Sequence, residues 1–112
     1  MSGLSQKKCI PCRGDVSPLS MEQIEPLLPQ VPNWVLVRRE PMKLQREFKF
    51  KDFKEALSFV NRVGDLAEAE GHHPNILIHN WNRVNLELYT HKINGLHEND
   101  FILAAKIERL LT

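Results

Sequence analysis

The sequence has little of what marks several specialised protein classes. It has two cysteines in 112 residues, too few for the disulfide framework of a small secreted protein. No apolar run approaches the roughly 20 residues that cross a bilayer, and the N-terminal residues lack the apolar stretch of a secretory signal. We therefore expect a cytoplasmic protein that has no membrane partner.

The chain also lacks a strong net charge, which is +1 at pH 7. Residues 1–51 hold nine Lys and Arg against five Asp and Glu, with a basic excess between Arg38 and Lys51. Such a stripe could bind nucleic acid. Basic residues that alternate with apolar ones are also typical of the exposed face of a strand, and a near-neutral total gives little long-range steering. We therefore expect no nucleic-acid partner.

The length and a hydrophobic content of 42% indicate one globular domain. Residues 1–19 show no periodicity and are predicted to form a flexible leader, which contains the lone CxxC motif Cys9-Ile10-Pro11-Cys12. A zinc ribbon would need a second such pair, and a redox motif normally lies in a βαβ context, so this motif is interpreted as incidental. Residues 20–112 are predicted to form the domain.

Hydrophobic periodicity predicts the element order α-β-β-α-β-β-α. Ser20 and Asp52 are candidate N-caps, and Gly71 is placed to close the second helix. Adjacent strands with short connections favour an antiparallel sheet, so we expect an α+β fold with a four-stranded antiparallel sheet and three helices on one face. The last helix is apolar over most of its circumference, which suggests an oligomer. The predicted helices are Met21–Leu28, Asp52–Glu70 and Glu98–Leu111; the predicted strands are Trp34–Arg39, Met42–Lys51, Asn75–Asn80 and Arg83–His91.

Histidine is the most concentrated residue type, with five between His72 and His97. His72 and His73 follow Gly71 and precede Pro74, so both lie at a helix-to-strand turn. A hairpin that turns near Trp81 would return His91 to their level. Three imidazoles at one end of the sheet could act as general acids and bases.

Other interpretations of these residues stay open. The histidine pair could simply be solvated, and three histidines could bind zinc. Adjacent histidines seldom share one metal, so no metal is expected. Trp81 could be a core anchor or a wall of a flat-ring pocket. Asp100 could compensate the helix dipole or orient a histidine.

Seven residues at fixed spacing carry a family resemblance: Glu68, His72-His73-Pro74, Trp81, His91 and Asp100, with the surrounding Glu70-Gly71 and Asn80-Trp81-Asn82-Arg83-Val84. This pattern resembles the pterin-4a-carbinolamine dehydratases over roughly residues 15–111. The resemblance implies the same sheet and helices, a homodimer or homotetramer, and no cofactor or metal. It also implies a lyase that converts 4a-hydroxytetrahydropterin (4a-hydroxytetrahydrobiopterin) to quinonoid dihydropterin and water, which recycles the cofactor of aromatic amino acid hydroxylases.

The resemblance also implies roles for individual residues. His72 and His91 would be the acid/base pair, and His73 would bind and orient the pterin and could share the proton transfer. Glu68 would hydrogen-bond a histidine or the pterin, Trp81 would pack near the ring, and Asp100 would support the site. Pro74 would also belong to the substrate-binding residues. The family usually has Thr or Ser where this chain has His97, a poorer N-cap that would shift the helix start and with it Asp100.

Two functions outside the dehydratase reaction remain as alternatives to it. One is a pterin-binding protein linked to molybdopterin metabolism. The other is a dimerisation cofactor of a transcription factor, as some relatives of this fold are.

Overall fold

A computed structural model describes residues 3–11 and 14–111, so Cys12 of the CxxC motif lies outside the described residues. The predicted α+β fold and element order are confirmed. Among the described residues, no helix is both long enough and apolar enough to cross a membrane. The helices are α1 (Met21–Ile24), α2 (Phe53–Glu70) and α3 (Glu98–Arg109); the strands are β1 (Val35–Val37), β2 (Lys43–Lys49), β3 (Asn75–His79) and β4 (Arg83–Leu88).

The four strands form one antiparallel sheet in the order β1-β2-β4-β3. In β4 every second side chain is buried, namely Val84, Leu86 and Leu88, and Leu44 of β2 pairs with Leu88. α2 and α3 lie against this buried face. The period of two along the strands therefore separates a core face from a polar face, as predicted.

The ends of α2 follow the signals in the sequence. Asp52 is the N-cap, and its side chain accepts a hydrogen bond from the backbone N–H of Glu55 at 2.8 Å. Gly71 ends the helix in the left-handed conformation, with φ of 66°. A residue with a Cβ is strained in that conformation, so glycine allows the sharp exit that leads to His72.

α1 is shorter than predicted. Ser20 caps it and forms a reciprocal capping box with Gln23, but the helix ends at Ile24, and a separate 3-10 turn follows at Leu28–Gln30. Pro26 has no N–H to donate to the carbonyl of Glu22, so the helical hydrogen bonds stop there.

The described part of the predicted leader is packed against the domain. A 3-10 turn at Leu4–Gln6 lies on α3, and Leu4 is 4% exposed in the core. This turn covers part of α3, which gives the apolar circumference of that helix a partner within the chain. The domain boundary at residue 20 and the oligomeric state stay predictions.

Candidate active site

Two turns at one end of the sheet bring three histidines together. The first turn joins α2 to β3 and carries His72 and His73, while the second follows β4 and carries His91. Asn75 pairs with Glu87, and this register places both turns at the same end of the hairpin. All three histidines line one open cavity of about 420 Å³, together with Gly71, Pro74, Asn75, Tyr89, Thr90, Lys92, Asn99, Ile10 and Pro11.

His72 is held by a buried carboxylate. Its Nε2 lies 2.6 Å from Oδ1 of Asp100, whose side chain is fully buried. The other oxygen, Oδ2, accepts hydrogen bonds from the Thr90 hydroxyl at 2.9 Å and from the backbone N–H of His97 at 2.9 Å. Because Nε2 donates to the carboxylate, the lone pair of the neutral ring lies on Nδ1. Nδ1 is thus the acceptor nitrogen that His72 retains.

Asp100 is positioned by an unusual N-cap. His97 caps α3 through its side chain, since Nδ1 accepts a hydrogen bond from the backbone N–H of Asn99 at 3.0 Å. The Asp100 carboxylate in turn accepts a hydrogen bond from the backbone N–H of His97, which completes a capping box. α3 begins at Glu98 as predicted, so the cap at His97 does not shift the helix start, because its imidazole nitrogen replaces the usual hydroxyl.

His73 forms the second histidine–carboxylate pair, at the rim of the cavity. Its Nε2 lies 2.6 Å from Oε2 of Glu68 in the last turn of α2. The two side chains are 58% and 79% exposed, so this pair contributes little to the stability of the fold. Its geometry leaves His73 accessible to a ligand in the cavity.

His91 is supported by an aromatic ring that the sequence analysis did not single out. The ring of Tyr89 stacks on His91 with centroids 4.2 Å apart and planes inclined by 26°. The signal for Tyr89 is its spacing from His91, because the predicted strand Arg83–His91 projects residues two apart to the same side, although β4 ends at Leu88 in the structure. His91 is exposed at the cavity, so its ring can reach a bound molecule.

Trp81 does not join this group. It lies at the tip of the β3–β4 hairpin with φ of 54°, at the end of the sheet opposite the histidines, and is 64% exposed. The structure thus places Trp81 outside the lining of the histidine cavity, because the tight turn with Asn80 projects it into solvent, and its contact with a bound ring stays a prediction. His79 at the same end pairs with Glu47 on the polar face at 2.8 Å, in agreement with a surface position.

The leader contributes a wall that sequence reasoning missed. Ile10 and Pro11 line the cavity, and the backbone N–H of Cys9 donates to Oε1 of Glu70 at 2.9 Å. That hydrogen bond lowers the pKa of Glu70, and the nearby Lys106 ammonium acts in the same direction. Burial, reinforced by the Glu70 carboxylate, raises the pKa of the Cys9 thiol to about 12, so Cys9 remains a thiol at neutral pH.

A second cavity of the structure offers fewer groups that could carry out chemistry. A cavity of about 390 Å³ lies between the leader turn and the end of α3, where Glu108 and Arg109 are its ionisable lining residues. Within residues 3–11 and 14–111, no group of three His, Cys, Asp or Glu is arranged to hold a metal ion. The histidine cavity is therefore the candidate active site.

Comparisons with known proteins place these residues in a family context. Residues 17–110 match the family described as Pterin 4 alpha carbinolamine dehydratase. A provisionally named pterin-4-alpha-carbinolamine dehydratase of Rubrobacter xylanophilus is 50% identical over 98% of this chain and 100% of its own length. A similarly named protein of Methylococcus capsulatus is 53% identical over 96% of this chain and 92% of its own.

Two solved structures share the fold. A transcriptional coactivator/pterin dehydratase from Brucella melitensis has a TM-score of 0.78 and 31% identity, over 86% of this chain and 100% of its own. A pterin dehydratase-like protein described as a RuBisCO assembly factor in the alpha-carboxysome has a TM-score of 0.59 and 25% identity, over 70% of this chain and 88% of its own. The fold is therefore shared by proteins described with different roles.

Proposed function

Because the chain belongs to the pterin 4 alpha carbinolamine dehydratase family, we propose that it dehydrates a 4a-hydroxytetrahydropterin to quinonoid dihydropterin and water. In this proposal it recycles the pterin cofactor of aromatic amino acid hydroxylases. The observation that carries the proposal is that His72, His73 and His91 line one cavity. Its volume of about 420 Å³ lies in the range of small-molecule sites, about 300–1,000 Å³.

The reaction needs two proton transfers at the pterin ring. The hydroxyl on C4a leaves as water once an acid has protonated it and the C4a–O bond breaks. A base removes the proton from N5, and the N5–C4a double bond forms from the electron pair that this releases. We assign these transfers to His72 and His91, because imidazoles can give or take a proton near neutral pH.

The carboxylates position the imidazoles in this mechanism. Asp100 accepts from Nε2 of His72, which keeps the lone pair of the neutral ring on Nδ1 for the substrate. Glu68 orients His73 at the rim, where His73 binds the pterin and can share a proton transfer. The largely buried His72, whose side chain is 11% exposed, and the exposed His91 differ in their access to solvent. This difference suits His72 to proton exchange within the site and His91 to proton exchange with water.

A competing proposal is a binding module without catalysis. The RuBisCO assembly factor and the coactivator named among the structural neighbours suggest that relatives of this fold can act through protein partners. A pterin-binding protein without dehydratase activity is the intermediate case. The buried Asp100–His72 bond favours the enzyme, since a protein-docking surface would not require an oriented imidazole inside a cavity.

The test is a rate measurement of quinonoid dihydropterin formation from a freshly generated 4a-hydroxytetrahydropterin, with the uncatalysed rate subtracted. His72→Ala and His91→Ala are compared with wild type and with His79→Ala, a control that removes an imidazole on the polar face of the sheet. We expect wild type and His79→Ala to accelerate the reaction equally, while each cavity variant loses about 10²- to 10⁴-fold in kcat.

The other outcomes separate the alternatives. Acceleration that survives both cavity substitutions would move the proton transfers to other groups and would refute the assignment to His72 and His91. A folded wild type that does not accelerate the reaction would refute the enzyme proposal. In that case, binding of a 7,8-dihydropterin would favour the pterin-binding protein, and absence of binding would favour a module that acts through protein partners.

A further inference from the structure

Part of the cavity wall comes from a segment that precedes residues 17–110, the part of the chain that matches the family description. The match to the family begins at residue 17, yet Ile10 and Pro11 line the same cavity as the three histidines. Ile10 is an apolar side chain that is 60% exposed, although its backbone is fixed against the domain. An exposed apolar side chain at a cavity is a natural contact for an apolar surface of a ligand.

The backbone of Ile10 is held by one buried side chain. Oδ1 of Asn99 accepts from the N–H of Ile10 at 3.0 Å, and Nδ2 of Asn99 donates to the carbonyl of Ile10 at 2.6 Å. Asn99 is 2% exposed and lies in the first turn of α3, next to Asp100. The amide thus satisfies both backbone groups of Ile10, as a neighbouring strand would.

A second anchor fixes the preceding residue to the helix that leads to the histidine pair. The N–H of Cys9 bonds to Glu70 at the end of α2, and Lys106 lies 3.4 Å from the other oxygen of Glu70. The segment is therefore attached to the end of α2, just before His72, and to the start of α3, beside Asp100. Its position relative to the histidines is set by the same two elements that position the histidines themselves.

We propose that Ile10 and Pro11 form a substrate-contacting wall of the histidine cavity and that Asn99 is the positioning residue for this wall. The proposal rests on the proposed function, since it assigns a new contact to the same pterin site. A pterin has a fused ring system with two faces and a side chain, so an apolar side chain that lines the same cavity as the imidazoles can cover a ring face or the pterin's side chain. The wall then contributes to pterin affinity and to the selection among pterins.

The test measures KM and kcat for dehydration, and Kd for a 7,8-dihydropterin by fluorescence, in the full-length protein. We expect Ile10→Ala to raise KM and Kd about 3- to 10-fold, with a smaller change in kcat, as for partial loss of an apolar pocket contact. Val35→Ala is the matched control, because it truncates a β-branched side chain that is 62% exposed on β1, away from the cavity. It should leave KM and Kd unchanged.

Asn99 is tested through its dependence on Ile10. Asn99→Ala should raise KM and Kd in the same direction, and the double variant should lose no more affinity than the stronger single variant, because Asn99 acts through the position of Ile10. Circular dichroism establishes that the variants are folded. If Asn99→Ala fails to fold, Ile10→Ala still tests the wall, because truncation of the Ile10 side chain removes no hydrogen bond from the fold.

Each outcome has one meaning. A wild type that binds and converts the pterin, with Ile10→Ala equal to Val35→Ala in KM and Kd, would overturn this inference and leave the proposed function intact. Additive effects of Ile10→Ala and Asn99→Ala would overturn the positioning role of Asn99. A wild type that binds no pterin would overturn both this inference and the proposed function.

Discussion

Replacement of Asp100 by asparagine should separate the stability of this protein from its proton chemistry. Asparagine has nearly the same shape, and its carbonyl oxygen can still accept from Thr90 and from the backbone of His97. Its amide nitrogen then faces His72 and donates, so Nε2 of His72 must become the acceptor. The proton of the neutral ring moves to Nδ1, the nitrogen that we assign to proton exchange with the substrate.

The magnitudes follow from the three bonds of the carboxylate. A hydrogen bond to a charged group is worth about 1 kcal/mol more than a neutral one, so Asp100→Asn weakens each of the three bonds by about that amount. Removal of a buried charge offsets part of this loss, so we expect the unfolding free energy to fall by about 2 kcal/mol. Asp100→Ala leaves the Thr90 hydroxyl and the His97 N–H without their acceptor, at about 1–3 kcal/mol each, so its loss should be nearer 4 kcal/mol.

The assays are urea unfolding and the dehydration rate, both for Asp100→Asn and for Asp52→Asn. Asp52→Asn is a matched control, because Asp52 also accepts a hydrogen bond from a backbone N–H in the first turn of a helix. Asparagine is as good an N-cap as aspartate, so the unfolding free energy of Asp52→Asn should change by less than about 0.5 kcal/mol. We expect Asp100→Asn to lose about 10²- to 10⁴-fold in kcat while it remains folded. A folded Asp100→Asn with kcat within about twofold of wild type would refute the role of this bond in orienting His72.

Three further predictions concern the cap, the polar face and two glycines. His97→Ala should lower the unfolding free energy by about 1 kcal/mol while His97→Ser lowers it much less, because serine restores a capping acceptor; equal losses in urea unfolding would contradict the cap. The hydrogen bond to Glu47 raises the pKa of His79 above 6.5, so this pair stabilises the fold below pH 6.5, and the contribution is lost as the pH rises through the folded pKa. Glu47→Gln should lower the pKa of His79 in an NMR titration, and an unchanged titration midpoint would count against the pairing. Gly64→Ala should raise the melting temperature and add up to about 1 kcal/mol to the unfolding free energy, because the new Cβ meets nothing within 4 Å in a helix. Gly71→Ala should lower the melting temperature and cost about 1–2 kcal/mol of unfolding free energy, because φ is 66°. Shifts of the same sign would be inconsistent with these backbone conformations.

Local signals in the sequence were enough to predict the frame of this fold. The period of two in β2 and β4 separates a core face from a polar face, and Asp52 and Gly71 mark both ends of α2. These signals act between residues a few positions apart, so they can be recognised without knowledge of the tertiary structure. The place of His91 could also be predicted, because the length of β4 and the tight hairpin turn determine where the chain returns.

Features that depend on distant parts of the chain were missed. The leader shows no periodicity, and its anchors to Asn99 and Glu70 are polar bonds across 89 and 61 positions of sequence. Hydrophobic patterning cannot reveal such contacts. The buried Leu4 is a single apolar residue in a polar stretch, so its place in the core also leaves no pattern.

The remaining differences between the sequence predictions and the structure concern what individual side chains contact. N-cap preferences rank histidine low, yet the ring nitrogen of His97 reaches the N–H of Asn99 because the backbone of His97 itself is extended, with φ of −129° and ψ of 162°. The family resemblance predicts Trp81 near a ligand, but its position in the three-residue turn at residues 80–82 projects it away from the cavity in this chain. A spacing along the sequence therefore predicts where a residue lies in the chain more reliably than what its side chain contacts.

The most direct test of the central claim is to locate a bound pterin on the protein. The claim is that the cavity between the two histidine turns receives it. Titration of a 7,8-dihydropterin into ¹⁵N-labelled protein should shift the amide signals of residues 71–75 and 89–92 and leave those of the hairpin tip, residues 79–82, unchanged. Shifts confined to the hairpin tip, or saturation by the pterin without shifts at either histidine turn, would contradict the claim.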